Sequence, residues 1–198
     1  MAQKTSLTSD TLTDRALQYF WKNGFYASSM ENLVTAIGAN RHKIYSTFGG
    51  KKQLYLACFD QYQNTVVTPA FQVVETTAAD LASISAYFEY QITQGEITGL
   101  PGPGCFVANS ATEIATTDAD IMAKVKYHNH RLRTGFHTAL QREASKTPGN
   151  LQTDTENLAN LLVIFTNGLW SMSRVVDDAM ILRQSANNFL HLISRAMA

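Results

Sequence analysis

Asn40 is followed by three side chains, Arg41, His42 and Lys43, that can all meet a polyanion. Asparagine is a strong helix N-cap, so the trio is expected in the first turn of a helix. Arginine and lysine projecting from that end can donate to the O6 and N7 edges of guanine in a major groove. An imidazole there can read a base or a phosphate according to its protonation. Upstream, Ser28 and Glu31 have capping-box spacing, which predicts a short helix that Gly38 ends after about nine residues. Two short helices joined by a tight glycine-containing turn form a helix-turn-helix.

Charge supports this placement. The formal net charge is zero, no signature of a nucleic-acid binder. Yet residues 1–52 carry seven basic side chains (Lys4, Arg15, Lys22, Arg41, Lys43, Lys51, Lys52) against three acidic ones (Asp10, Asp14, Glu31). A basic head on an acidic body suits a protein that touches phosphates with one end.

The second reactive candidate is Cys105, which follows the punctuation Gly99-Leu100-Pro101-Gly102-Pro103-Gly104 and opens a helix. A thiol in a first turn has its thiolate favoured by the helix dipole. Cys105 therefore reads either as a solvent-reachable sensing thiol or as a small packing residue. Cys58, inside an apolar stripe, reads as core. The two cysteines give neither a disulfide framework nor metal-ligand spacing. Tyr87, Phe88 and Tyr90 on one helix, Cys105 and Asn109 on the next, Phe136 on a long helix, and Phe165 or Trp170 are either core or the walls of a partly aromatic ligand pocket. His128 is a pocket residue or a satisfied core histidine. His130 and His137 lack a third ligand at helical spacing, so no metal site is expected, and no cofactor is called for. There is no phosphate-binding glycine loop, no Gly-x-Ser-x-Gly elbow and no His-Glu-x-x-His, so enzyme readings find no support.

These side chains need an all-α scaffold of about nine helices and no sheet. The first helix starts near Ser9 to Thr11, buries Leu12, Ala16, Tyr19 and Phe20, and ends at Gly24. After Gly50 a longer helix carries Leu54, Cys58 and Tyr62 and stops before Pro69. Another runs from about Asp80 with Leu81, Ile84, Phe88 and Ile92 inward. Cys105 opens a helix reaching about Thr117. A long helix from near Asp118 to Lys146 buries Ile121, Val125, Leu132, Phe136 and Leu140. Pro148-Gly149-Asn150 marks a turn, and two apolar helices close the chain at Thr153–Val176 and Asp178–Met197. With 45% hydrophobic and 16% charged residues, few side chains are left for solvated faces. No apolar run spans a membrane and residues 1–10 lack the core of a signal peptide, which points to the cytoplasm.

The runs Gly24-Phe25-Tyr26-Ala27-Ser28-Ser29-Met30, Gly38-Ala39-Asn40, Ile44-Tyr45-Ser46-Thr47-Phe48 and Lys51-Lys52-Gln53-Leu54-Tyr55 resemble the TetR/AcrR DNA-binding domain in order and spacing. The resemblance covers about the first 65 residues. It departs at Ala39-Asn40, at Gly50 where a polar cap is usual, and at His42 where a small residue is common. It implies a three-helix helix-turn-helix domain over 1–52, with the motif at about 28–48, and an effector-binding and dimerisation domain over 53–198. It implies base contacts from Arg41, His42 and Lys43, and phosphate contacts around Ser28, Ser29, Tyr45 and Lys51. The implied partners are double-stranded operator DNA, a second copy through the last two helices, and a small-molecule or electrophile effector. The segment Gly104-Cys105-Phe106-Val107-Ala108-Asn109 resembles a Gly-Cys-x-x-x-Asn motif in a subset of these regulators, some of which sense electrophiles through the cysteine. The alternatives are a constitutive regulator or activator without a pocket, and a helical interaction protein that has lost DNA binding.

Overall fold

The computed structural model describes residues 8–146 and 154–197. Lys4, the turn at Pro148-Gly149-Asn150 and the expected helix start at Thr153 lie outside them. Helix α1 (Ser9–Asn23) begins where the Thr8 side chain accepts the Thr11 amide, and it buries Leu12, Ala16, Leu17 and Phe20. Tyr19, expected in that stripe, is half-buried, and Leu17 takes the inner position.

Helix α2 (Met30–Ile37) is capped by Ser29, whose hydroxyl accepts the Asn32 amide at 3.1 Å. This corrects the expected cap at Ser28. That hydroxyl is buried and donates to the Gly24 carbonyl at 2.6 Å, closing the loop behind α1. With Ser28 so committed, the cap falls to the next serine and the box with Glu31 does not form. Gly38 then takes a left-handed conformation (φ 73°), which glycine adopts without steric cost, and turns the chain into α3 (Arg41–Phe48). Asn40 caps α3 as expected, accepting the Lys43 amide at 2.8 Å. Leu33, Ile37 and Ile44 are buried between the two helices, and Arg15 of α1 donates to the Ile37 carbonyl at 2.9 Å.

Helix α4 (Lys51–Tyr62) has no side-chain cap at Gly50. It does not stop before Pro69: a π turn (Gln63–Val67) leads directly into a short α5 (Thr68–Phe71). The wide turn, closed by the Thr68 amide on the Gln63 carbonyl, opens the backbone where the proline ring would otherwise meet the preceding turn. The body adds α6 (Leu81–Thr98), α7 (Phe106–Glu113), α8 (Ala119–Ser145), α9 (Thr155–Met172) and α10 (Ala179–Met197). Counting the α4–π–α5 rod once gives nine helices, with no strand among the described residues. Among those residues no helix is long and apolar enough to cross a membrane.

The π turn also creates a polar node in the core. It brings Gln63 inward, where its Nε2 donates to His128 Nδ1 at 2.9 Å and its Oε1 accepts from Arg131 at 3.2 Å. Arg131 further donates to Thr68 Oγ1 and grips Glu75 with two bonds of 2.6 and 2.7 Å. His128 is thus the satisfied core histidine of the two readings. Burial first, and the Arg131 charge second, lower its pKa from 6.5 to about 4.

Two measurements follow. Ser29→Ala should cost about 1 kcal/mol of unfolding free energy in urea, since it deletes the α2 cap. His128 makes stability fall with acid: below pH 6.5 the unfolded chain binds a proton that the native core refuses until about pH 4. The His128 contribution is complete above that window and declines through it by on the order of 3 kcal/mol. His128→Gln should flatten this part of the stability–pH curve, and an unchanged slope would contradict the assignment.

Candidate nucleic-acid interface

The α3 helix presents one face to its neighbours and the rest to solvent. Ile44 is fully buried, while Arg41, His42, Lys43, Tyr45, Ser46 and Thr47 are all exposed. The Asn40 cap starts the helix so that its first turn is the basic trio. The Arg41 guanidinium carbon lies 5.6 Å from the Tyr45 ring centroid, a cation–π approach that pre-orients the arginine along the helix. A side chain in this place, with a donor fork and no competing carboxylate on its own helix, can read a guanine edge.

The expected phosphate-contacting residues divide. Ser29 is exposed beside the N-terminus of α2, and Tyr45 is 45% exposed on α3. Ser28 is wholly buried with its hydroxyl bonded to Gly24, so it positions the loop and is not available to a phosphate. Lys51 is half-buried with Nζ 4.2 Å from the Phe25 ring centroid. Burial lowers its pKa, partly offset by the Glu113 charge. Lys52, counted above among the basic groups of the head, is held by Asp118 and Asp120 of the body at 2.8 and 2.7 Å. It belongs to the joint between head and body.

That joint was invisible in the sequence. Glu113 accepts the Phe25 and Tyr26 amides at 2.9 and 2.8 Å, from 88 and 87 residues away along the chain. Tyr55 OH meets Ser110 Oγ at 2.7 Å, and Trp21 Nε1 donates to the Gly104 carbonyl at 2.9 Å. No local spacing signals such partners. The nearest hint was a group of aromatic residues, Phe20, Trp21, Phe25 and Tyr26, in a segment otherwise read as a small domain.

In the body, Cys105 stands at the α7 N-cap, as expected, with Sγ accepting the Ala108 amide at 3.5 Å. Its environment is that of the packing residue, not of a solvent-reachable thiol. The residue is only 4% exposed, and burial raises the thiol pKa despite the opposing amides of Ala108 and Val107 and the Tyr62 hydroxyl. Desolvation outweighs the helix end, because removing a thiolate from water costs more than a few partial charges return. Cys58 is also buried and its thiol pushed up by burial, as expected for core.

Several of the pocket candidates do converge. The Tyr62 hydroxyl faces the Cys105 thiol, and the buried Tyr87 packs edge-on against Phe71 at 5.2 Å and lies 6.0 Å from Phe136. The indole N–H of Trp170 faces the Tyr87 hydroxyl without closing a hydrogen bond, and among the described residues this buried donor has no partner. Phe165 stacks on Phe189 at 4.0 Å and edges Phe88 at 5.7 Å. Two candidates fall elsewhere. Tyr90 is 44% exposed, and Asn109 is engaged in tying the Pro103 carbonyl (2.8 Å) to Arg174 (3.2 Å). Among the described residues no cluster of three or more His, Cys, Asp or Glu side chains could hold a metal ion.

Comparison with known proteins matches both halves. The profile describing bacterial regulatory proteins of the tetR family covers residues 12–58, and that describing tetracyclin repressor-like C-terminal domains covers residues 81–189. The HTH-type transcriptional repressor ComR of Escherichia coli (strain K12) is 28% identical over 193 residues, spanning 92% of this chain and 87% of its own. The HTH-type transcriptional regulator YezE of Bacillus subtilis (strain 168) is 24% identical over 185 residues, spanning 90% and 92%. A cysteine mutant of the TetR family regulator CifR, complexed with 26 bp double-strand operator DNA, shares the fold with a TM-score of 0.81 at 16% identity, covering 96% of this chain and 98% of that one. The chain belongs to the TetR family of helix-turn-helix transcriptional regulators.

Proposed function

We propose that the chain is a repressor that binds a palindromic operator as a homodimer and is released by a signal received in its body. The observation that carries the reading is the exposed trio Arg41, His42 and Lys43 in the first turn of a capped α3, with Ser29, Tyr45 and Lys51 around it for the phosphates. ComR is named a repressor and CifR is held on operator DNA, which favours the same role here. The division at residue 52 falls in the first turn of α4, giving Lys51 and Lys52 to the head and the rest of that helix to the body. DNA as partner places the site of action in the cytoplasm.

The dimer reading rests on α9 and α10. Both bury one stripe in the body and leave another in water, including Ile164 at 68% exposed and Leu192 at 61%. Apolar stripes on two consecutive helices suit a four-helix bundle across a two-fold axis. The sensing region is assigned to the convergence of Cys105, Tyr87 and Trp170, backed by Phe136 and Phe165. An uncompensated buried indole N–H favours a small, largely apolar effector with one hydrogen-bond acceptor. An electrophile remains the second chemistry for this region, as the resemblance around Gly104-Cys105 implies; it requires an opening that bares the Cys105 thiol.

Selection on random DNA tests the reading. The recovered site should contain two inverted half-sites, because two-fold-related recognition helices enter successive major grooves about 34–36 Å apart. Arg41→Ala or Lys43→Ala should cost about 1–3 kcal/mol on that site and relax the base it reads. Lys51→Ala should weaken all sequences alike and reduce the salt slope by about one unit. Binding by all three variants at the wild-type level would contradict the placement.

A further inference from the structure

The α7 helix is eight residues, a rod about 12 Å long. One end, Cys105 and Phe106, sits in the aromatic interior with Tyr62. The other end, Glu113, leaves the body and reaches the loop between α1 and α2. There each carboxylate oxygen accepts one backbone N–H, Oε2 from Phe25 at 2.9 Å and Oε1 from Tyr26 at 2.8 Å. Those amides lie after the last turn of α1 and before α2, outside either helical ladder. The loop is shaped around the carboxylate. Gly24 has φ 81°, and a Cβ built there would stand 2.8 Å from both Glu113 oxygens. Thr117, just beyond the helix, adds a hydrogen bond between its Oγ1 and Tyr26 OH at 3.0 Å. Lys51 of the head lies close enough for the Glu113 charge to act on it.

Two charge-assisted bonds to adjacent amides have a narrow geometry and are strong for their kind. They are made or lost together, because a shift of the rod by an ångström or two carries both oxygens out of line. We propose that Glu113 is the positioning residue that sets the angle of the helix-turn-helix on the body, and that its carboxylate carries a displacement of α7 from the Cys105 end to the head. The inference rests on the dimeric operator-binding reading above. The head still reads its own half-site when the contact is lost; what is lost is the fixed distance between the two heads of a dimer.

The test uses the full-length chain and the palindrome selected by wild type, with the spacing between half-sites changed by one and two base pairs, plus a single half-site. Each added base pair moves one half-site by about 3.4 Å and turns it by about 34°, so wild type should show a sharp optimum, losing about tenfold or more per step. Glu113→Ala should flatten that optimum to about threefold or less per step, while its affinity for the single half-site stays at the wild-type level. Glu113→Gln, which keeps one acceptor, should fall between, and it carries the test if the alanine variant loses cooperative unfolding. A sharp wild-type optimum retained by both variants would overturn the role of Glu113. A parallel loss of half-site and palindrome affinity would overturn it as well, by showing a general structural defect. A wild-type chain with no preference for paired half-sites would instead overturn the operator reading on which the inference rests.

Discussion

Four rings and one hydroxyl meet at Tyr55, and the relation between the two parts of this protein depends on them. The ring stands edge-on to Phe20 of α1 at 4.9 Å and to Phe25 of the following loop at 5.0 Å. It also meets Phe59 of its own helix at 5.6 Å and Phe106 of α7 at 5.1 Å. Its hydroxyl meets Ser110 at 2.7 Å, so the one polar atom of a 1%-exposed side chain is satisfied. Aromatic edge contacts of this kind are worth about 0.5–1.5 kcal/mol each beyond the area they bury. A small three-helix head has little core of its own, and both α1 and α3 pack against α4. Head and body are therefore parts of one packed unit.

This constraint explains why the head's electrostatics look the way they do. Among the described residues no carboxylate pairs with Arg41, His42 or Lys43 on its outer face, while two of its other cations, Arg15 and Lys52, are held inside. Arg15 holds the end of α2, and Lys52 binds two aspartates at the start of α8. The functional charge is thus less than the composition of residues 1–52 suggests, and it is concentrated on one helix turn. A displacement originating near Cys105 has a short path to that turn, through an α7 whose two ends lie in different parts of the molecule.

Much of this was legible in the sequence where the signal is local. The cap at Asn40 and the helix starts near Asp80 and Asp118 are decided within four residues, and all three occur. The inward stripe of α8 follows from a 3.6-residue period, and Ile121, Val125, Leu132, Phe136 and Leu140 are all buried. Ser28 misled because two adjacent serines compete for one cap, and the choice depends on a carbonyl at Gly24. Pro69 misled because a π turn can carry a helix past a proline, and nothing in the side chains of Gln63 to Val67 announces one. Cys105, left open between a sensing thiol and a packing residue, is the more instructive case. Its position at a helix end is local and correct, but burial against other helices, with Tyr62 and Tyr87 beside it, outweighs the helix end and raises the thiol pKa. Glu113, Lys52 and Tyr55 act through partners remote in sequence, so only the fold assigns them work.

The most direct measurement is the distance between the heads of a dimer in solution, by pulsed electron resonance with spin labels at Gln18→Cys, an exposed position on the outer side of α1. The native thiols at 58 and 105 are buried and do not compete for label. A head welded to its body through Tyr55 gives one narrow distance distribution without DNA, and Tyr55→Ala broadens it. A broad distribution in the wild type, or one equally narrow after Tyr55→Ala, would contradict the weld.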